Sequence, residues 1–192
     1  MAWRYPMRTI YLAATAACAL SLAACASDMQ SASSASAMGS PASAAAAAAA
    51  PTTATAFIAE AARSDMYEIQ SSQLAQSKGS SQAVKDFAAQ MIRDHTNSTQ
   101  IVMAAAQQAG MNPPPPPLDA RRAGMIRQLQ GASGAAFDRM YLQQQLMAHQ
   151  EALALHSGYA QNGDTPQLKA AAAQIAPIVQ QHLTHVQGMQ PS

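Results

Sequence analysis

The sequence predicts an all-α protein with a ferritin-like antiparallel four-helix bundle, and three observations favour this fold. Apolar residues recur at intervals of three and four through four long segments, as on the buried face of a helix. No segment shows the alternation of apolar and polar residues that is typical of a half-buried strand. The connections between the four segments are two short turns and one long link.

The first two long segments predict one helical hairpin. The first helix runs from about Thr55 to Lys78 and ends at Gly79. Its predicted inward stripe consists of Phe57, Ala61, Glu68 and Ala75. The second helix begins after Ser80 or Ser81, either of which is a favoured N-cap residue, and ends near Gly110. Its predicted inward residues are Val84, Phe87, Met91, His95 and Val102.

The stretch "GMNPPPPPL" follows, and its five prolines predict an extended connector because proline lacks the backbone N–H that a helix needs. A short amphipathic helix is predicted at about Asp119 to Leu129. The third long helix runs from about Gly134 to Gln161. Its predicted inward residues are Leu142, Leu146, His149, Leu153, His156 and Ala160.

The turn "NGDTP" separates the third long helix from the fourth. Thr165 is predicted to cap the fourth helix, and Pro166 occupies its first position. The predicted inward residues are Leu168, Ala172, Ile175, Val179, His182, Val186 and Met189. The two short turns therefore make two helical hairpins, which are joined by the long link from Met111 to Ser133. Two hairpins with one long crossover are typical of ferritin-like folds, whereas a simple up-and-down bundle, the alternative, needs no such link.

The first 24 residues are predicted to be a lipoprotein signal peptide. Arg4 and Arg8 precede the apolar run "TIYLAATAACALSL", which is short for a permanent membrane span. The run ends in "LAAC", which resembles the bacterial lipobox that directs lipidation of its cysteine, here Cys25, and cleavage before it. Cys18 is a poorer candidate because Thr15 stands where the leucine should be. A retained transmembrane anchor is the alternative.

The remaining boundaries follow from composition. Residues 25–54 contain the lipidated Cys25 and an Ala/Ser-rich segment with almost no large apolar side chain, so we expect a flexible tether. Residues 55–189 form the folded domain, and residues 190–192 form a short tail. No Asp directly follows Cys25, which in many Gram-negative lipoproteins indicates the outer membrane, with the domain facing the periplasm.

Processing at Cys25 has two chemical consequences. It leaves no free thiol, which excludes disulfides and thiolate metal sites. It also removes Arg4 and Arg8, so the formal net charge falls from +1 to about −1. A chain of this charge is not expected to bind nucleic acid, and membrane attachment is expected to come from the acyl chains on Cys25.

Three segments resemble a known family: "DMYEIQSSQLAQSKGSSQAVKDFAAQMIRDH", "GAAFDRMYLQQQLMAHQEAL" and "LKAAAAQIAPIVQQHL". They are similar to domain-of-unknown-function family 4142, a group of bacterial, mostly exported proteins with a ferritin-like fold. The resemblance covers roughly residues 57–186 and implies the fold rather than an activity. The residues that match the characteristic pieces are Glu68, Asp94, His95, Phe137, Asp138, Tyr141, His149, Pro177 and His182.

The histidines form the candidate functional site. His95, His149 and His182 occupy inward positions on three long helices, and Glu68 lies on the inward stripe of the remaining one. Ferritin-like bundles build metal sites from such inward Glu and His residues at mid-bundle. Counting from each turn at 1.5 Å per residue puts the two members of each hairpin within about 7 Å of the same level. We expect the other two histidines, His156 and His185, at the periphery of this cluster.

The ligand pattern departs from that of a di-iron site. Such sites use Glu-x-x-His pairs, but Ile92, Leu146 and Val179 stand three residues before the three histidines. A mononuclear, nitrogen-rich site for Zn, Cu, Ni or Fe is expected instead. The alternative is a structural polar core, in which Glu68 pairs with one histidine and the other histidines bond backbone carbonyls or tyrosine hydroxyls.

Two functions therefore remain open. The first is a non-enzymatic binding or stress-related module of the cell envelope, because the chain has no nucleophile–base motif, phosphate loop or nucleotide fingerprint. The second is a metal-binding or redox protein that uses Glu68, His95, His149 and His182.

The lipoprotein prediction is tested by replacing Cys25 with Ser in the full chain. Because the acyl groups attach to the sulfur of this residue, we expect metabolic labelling with a fatty acid to disappear in Cys25→Ser. Labelling should persist in the matched variant Cys18→Ser. Unchanged labelling of Cys25→Ser would refute the prediction.

Overall fold

Five α-helices make up the described part of the chain in the computed structural model, which covers residues 50–190. They are α1 (Ala54–Lys78), α2 (Gln82–Gln108), α3 (Ala120–Gly131), α4 (Gly134–Asn162) and α5 (Pro166–Gly188). These helices confirm the four predicted long helices and the short one, and no strand occurs within this range. The predicted signal peptide, Cys25 and most of the predicted tether lie outside the described residues, as do residues 191–192.

The helices form two antiparallel hairpins, α1–α2 and α4–α5, that pack side by side. At one end of the bundle, Lys78 of α1 donates hydrogen bonds to the carbonyls of Gln130 and Ala132, just before α4. At the other end, Phe57 of α1 stacks on Tyr159 of α4 with 4.0 Å between ring centroids. The connector and α3 therefore run the length of the bundle, and α4 returns antiparallel to α1. This confirms the ferritin-like topology.

Two apolar clusters fill opposite halves of the bundle. The first contains Phe57, Ile58, Ala61, Val102, Leu155, Tyr159, Leu168, Ile175 and Val179. The second contains Ala75, Val84, Phe87, Met91, Leu129, Phe137, Tyr141, Leu142, Leu183 and Val186. Each long helix passes from one cluster to the other, so its residues near mid-length form a layer between them. The candidate site residues lie in this layer.

The short helix α3 is fixed to the bundle by charge and by apolar contact. Asp119 caps it, because its side chain accepts a hydrogen bond from the backbone N–H of Arg122 at 2.8 Å. The guanidinium of Arg122 is buried and pairs with Glu60 of α1 as well as with Asp119. On its other face, Met125 and Ile126 pack with Tyr67 and Ala148. The crossover is thus held against α1 and α4.

The turns explain two glycines and contain both predicted cap residues. Gly79 and Gly163 have φ values of −60° and −64°, so neither requires a left-handed backbone. A Cβ atom at either position would lie within 2.7 Å of a carbonyl oxygen one turn back, so the lack of a side chain is what the turns need. Ser81 caps α2 as predicted. Thr165 is the N-cap residue of α5 as predicted, but its hydroxyl donates to the carboxylate of Asp164 rather than accepting from a backbone N–H of the helix.

No helix within residues 50–190 combines the length and apolar composition that a membrane span requires.

The turn between α1 and α2 also depends on Asp138 of α4. Its buried carboxylate accepts hydrogen bonds from the backbone N–H groups of Ser80 and Ser81, both at 2.9 Å, and from the Ser80 hydroxyl. The start of α2 is thereby tied to the second hairpin through the side chain of one residue.

Replacing Asp138 with Ala should therefore lower the free energy of unfolding by about 2 kcal/mol, because the N–H groups at the turn lose a charged, buried acceptor. Urea denaturation measures the effect. The matched control is Asp86→Ala, which removes the same charge from an exposed position of α2 and should change stability by less than about 0.5 kcal/mol. Equal losses in the two variants would contradict the proposed role of Asp138.

Candidate metal centre

The four predicted ligands all lie in the layer between the two apolar clusters. Their exposed fractions are 0% for Glu68, 3% for His95, 0% for His149 and 2% for His182. On α2, for example, His95 follows Met91 of one cluster and precedes Val102 of the other. The helical periodicity thus places all four polar side chains in the buried interior of the bundle. Their hydrogen bonds there determine their orientation and protonation.

The three imidazoles converge on one point. Their ring centroids lie 5.5 Å apart for His95 and His149, 5.7 Å for His95 and His182, and 5.5 Å for His149 and His182. One potential ligand atom from each ring lies within 4.8 Å of those from the other two. Side chains from α2, α4 and α5 thus form a nearly equilateral triangle of the size that encloses one metal ion.

Each imidazole is oriented by a hydrogen bond through one of its two nitrogens. Nδ1 of His95 bonds the carboxylate of Asp65 at 2.8 Å, and Nε2 of His182 bonds the carboxylate of Asp94 at 2.8 Å. Nδ1 of His149 bonds the carbonyl oxygen of Gln145 at 2.9 Å, and since a carbonyl only accepts, this nitrogen carries the proton. Metal-binding histidines usually have such an outer partner, which fixes the ring and its tautomer.

The second nitrogen of each ring is buried and has no partner among the described residues. These atoms are Nε2 of His95, Nε2 of His149 and Nδ1 of His182. A neutral imidazole whose first nitrogen donates a hydrogen bond carries a lone pair on the second. The three unpartnered nitrogens are therefore the ones that a metal ion would take.

Burial and neighbouring charge set the protonation of the triad. Burial lowers the pKa of His149 to about 3, and burial together with the nearby His95 lowers the pKa of His182. Burial also opposes a charge on His95, but the hydrogen bond to Asp65 and the negative charge of Glu68 outweigh it and raise the pKa of His95. Two rings of the triad are thus held neutral, and a metal ion would compete with a proton only at His95.

Glu68 lies beside the triad. Its Oε1 is 3.6 Å from Nδ1 of His149, which is the nitrogen that already bonds Gln145. Both carboxylate oxygens are buried without a hydrogen-bond partner, and burial raises the pKa of Glu68 to about 7. The structure thus brings Glu68 next to one histidine, but not into the group of three converging ligand atoms. Its predicted role as a ligand stays a prediction.

Sequence reasoning missed the outer partners of the triad. Asp65 is buried on the same face as Ala61 and Glu68, four residues after the first and three before the second, so the helical period was a usable signal. Asp94 follows another direction from the helix axis than its neighbour His95, and it reaches across to His182. The carboxylates that neighbour the histidines come from positions that no ligand motif includes.

The remaining two histidines lie outside the triad, one of them exposed and the other buried. His185 is exposed and packs its ring against the edge of Phe87. His156 is 1% exposed, its ring meets Phe57 edge-on at 5.6 Å, and its Nδ1 has no partner. His156 therefore lies outside the triad as expected, and its burial agrees with its predicted inward position, because its stretch of α4 faces the first apolar cluster.

A small pocket between α2 and α5 reaches the triad. It is lined by Asp94, His95, Asn97, Ser98, Ile101, Ile175, Ile178, Val179 and His182. The cavity volume is about 10 Å³, which is close to the smallest volume that holds one water molecule. Two of the three histidines of the triad, His95 and His182, thus border a cavity that holds about one water molecule.

Comparison with known proteins supports the fold. The family described as domain of unknown function (DUF4142) matches residues 39–189. A DUF305 fragment from Deinococcus radiodurans superposes with a TM-score of 0.62 and 15% identity, over 73% of this chain and 96% of that one. Among curated proteins, no sequence match was found.

Two solved structures of CopM have the same fold. CopM in its Cu(II)-bound form superposes with a TM-score of 0.60 and 19% identity, over 71% of this chain and 95% of that one. CopM in its Ag-bound form gives a TM-score of 0.59 and 21% identity, over 71% and 94% of the two chains. At these identities the likeness establishes the helical architecture.

The burial of His156 predicts how the free energy of unfolding depends on pH. Burial lowers the pKa of His156 to about 4, against an unfolded value near 6.5, so the unfolded chain binds more protons between these two values. Stability is therefore lost as the pH falls from about 6.5 towards 4. We expect His156→Leu to reduce this loss by up to about 3 kcal/mol.

Urea denaturation of the wild type and the variant at pH 7 and at pH 4.5 measures the difference. His185→Leu, which removes an exposed histidine, should keep the wild-type pH dependence. The same pH dependence in His156→Leu and in the wild type would show that His156 is not held neutral by burial.

Proposed function

The chain belongs to the DUF4142 family of domains of unknown function, and we propose that its bundle binds one late transition-metal ion through His95, His149 and His182. The observation that carries this proposal is the arrangement of the ring nitrogens. One nitrogen of each histidine is engaged by an outer partner and the other is buried without one, while one ligand atom from each ring lies within 4.8 Å of those from the other two.

The three unpartnered nitrogens argue against a purely structural polar core. A buried polar atom without a partner costs about 1–3 kcal/mol, and three such nitrogens meet in this layer. Apolar side chains of similar volume would fill the space without that loss. A metal ion would convert the three unpartnered nitrogens into ligands, and the carboxylates of Asp65, Asp94 and Glu68 would balance part of its charge.

The donor set favours copper. Imidazole ligands suit Cu, Zn, Ni and Fe, whereas Mg and Ca require oxygen ligands. Divalent copper stands highest in the affinity order of the first-row divalent ions. CopM, whose fold is similar, has been solved with Cu(II) and with Ag bound. We therefore propose copper as the preferred ion, with Zn, Ni and Fe as weaker competitors.

We propose a binding role for this site in the cell envelope. The sequence supports attachment through lipid on Cys25 to the outer membrane, with the domain facing the periplasm. A site with three buried nitrogen ligands, and no carboxylate that bridges two metals, suits the capture of single ions. We therefore propose that the protein sequesters copper in the cell envelope under metal stress, because this function agrees with both the predicted location and the geometry of the site.

The proposal predicts stoichiometric copper binding that each of the three histidines supports. The full chain, purified in detergent and stripped of metal, should bind one equivalent of Cu(II) in a calorimetric titration. It should also unfold at a higher temperature when loaded. Replacing His95, His149 or His182 with Ala should weaken binding by more than about 100-fold, because a ligand contributes more than the outer partners, whose loss costs 10–100-fold.

The control variant is His185→Ala, which removes a histidine from the same helix as His182 but outside the triad. It should bind copper with wild-type affinity. Asp65→Asn should show an intermediate loss of about 10–100-fold, since it affects only the orientation of His95. An absence of one-to-one binding in the wild type, or an equal loss in His185→Ala, would reject the site.

A further inference from the structure

We propose that the pocket between α2 and α5 is an open coordination position of the metal site, where the Ser98 hydroxyl holds a water-sized ligand on the metal. The class of ligand is a small neutral or anionic donor such as water, hydroxide or azide. This inference rests on the proposed function, because it requires a metal ion on His95, His149 and His182.

The number of protein ligands leaves a position free. In zinc proteins, catalytic sites with three protein ligands bind a fourth, exogenous ligand, whereas structural sites use four protein ligands. Within residues 50–190, the group of converging ligand atoms contains the three histidines and no fourth residue. Glu68 is the one neighbouring carboxylate that has no hydrogen-bond partner among these residues, and its Oε1 lies 3.6 Å from Nδ1 of His149, the nitrogen that bonds Gln145. Residues 50–190 thus leave a fourth position for an exogenous donor.

The pocket connects the triad with the surface. His95 and His182 form part of its lining. Asn97, which is exposed, and Asp94, whose side chain is 34% exposed, also line it. The remaining lining is mostly isoleucine and valine, which offers no ligand atom to a metal. A small molecule that enters between α2 and α5 thus meets two of the three proposed ligands.

Ser98 is the feature that points to a bound ligand. It is 6% exposed, and its hydroxyl oxygen is buried without a hydrogen-bond partner among the described residues. Serine and threonine in helices usually bond a carbonyl one turn back, and two neighbours do so: Thr96 bonds the carbonyl of Ile92, and Thr99 that of His95. Ser98 makes no such bond, so its hydroxyl is free to donate to a molecule in the pocket that it lines.

The size of the pocket limits the ligand. The space holds about one water molecule, and isoleucine and valine side chains border it. Water or hydroxide fits within this space, whereas a linear anion such as azide fits with one end in the space and its far end extending out through the opening. A planar ring such as imidazole requires more width, so the pocket should discriminate between azide and imidazole.

The experiment uses the full chain in detergent, loaded with one equivalent of Cu(II), and titrates sodium azide. Azide binding is followed by the charge-transfer absorption of the copper–azide complex and by the electron paramagnetic resonance spectrum. We expect saturable binding of one azide in the wild type. In Ser98→Ala we expect binding about fivefold weaker, which is the effect of losing one hydrogen bond.

Two further variants distinguish the effect of the Ser98 hydrogen bond from the effect of the free volume in the pocket. Ser98→Val places two methyl groups where the hydroxyl was, and should weaken azide binding by more than tenfold. Thr96→Ala is the matched control, because Thr96 is exposed on the same helix and does not line the pocket, and it should leave azide binding unchanged. Imidazole at the same concentrations should not change the spectrum of the wild type.

Copper binding is measured first in every variant, so a failure of the metal site is distinguished from a failure of the pocket. One-to-one copper binding without azide binding would overturn the open position. Equal azide affinities in Ser98→Ala and Thr96→Ala would overturn the role of Ser98. If the wild type binds no copper, the inference falls together with the proposed function.

Discussion

The layer of buried imidazoles and carboxylates at mid-bundle constrains the rest of the fold, because its hydrogen bonds join neighbouring helices. A buried polar side chain finds its partners within the protein, and here two of the histidines find theirs on other helices. Asp65 of α1 bonds His95 of α2, and Asp94 of α2 bonds His182 of α5. Because these bonds join three helices, they set the relative heights at which the helices pack, and the apolar clusters on either side follow.

This layer also separates two kinds of packing. On either side of it, aromatic and aliphatic residues bury area without strong directional preference, as with Phe57 on Tyr159. Within it, hydrogen bonds of 2.8–2.9 Å fix ring orientation. Such directional contacts position ligand atoms more accurately than apolar contacts do. The bundle thus combines apolar clusters, whose contacts have little directional preference, with a small polar layer in which hydrogen bonds fix the geometry.

Most of the fold was predictable from the sequence because it depends on local and periodic signals. Gly79, Pro166 and the proline run fix where helices start and stop, and the intervals of three and four identify the inward faces. The same periodicity placed His95, His149 and His182 inside the bundle. It did not give their partners, because the height and rotation of one helix against another are set by tertiary packing. Asp94 shows this: it points away from His95 on its own helix and still reaches His182 on another.

The division of the three histidines between the hairpins has a mechanical consequence. His95 belongs to α1–α2, and His149 and His182 belong to α4–α5, while the only covalent link between the hairpins is the long crossover. An ion held by all three would act as a reversible cross-link between two halves of the protein. Separation of the hairpins would then require release of the ion. The mechanical resistance of the bundle to opening would depend on metal supply, even though no cysteine or disulfide is involved.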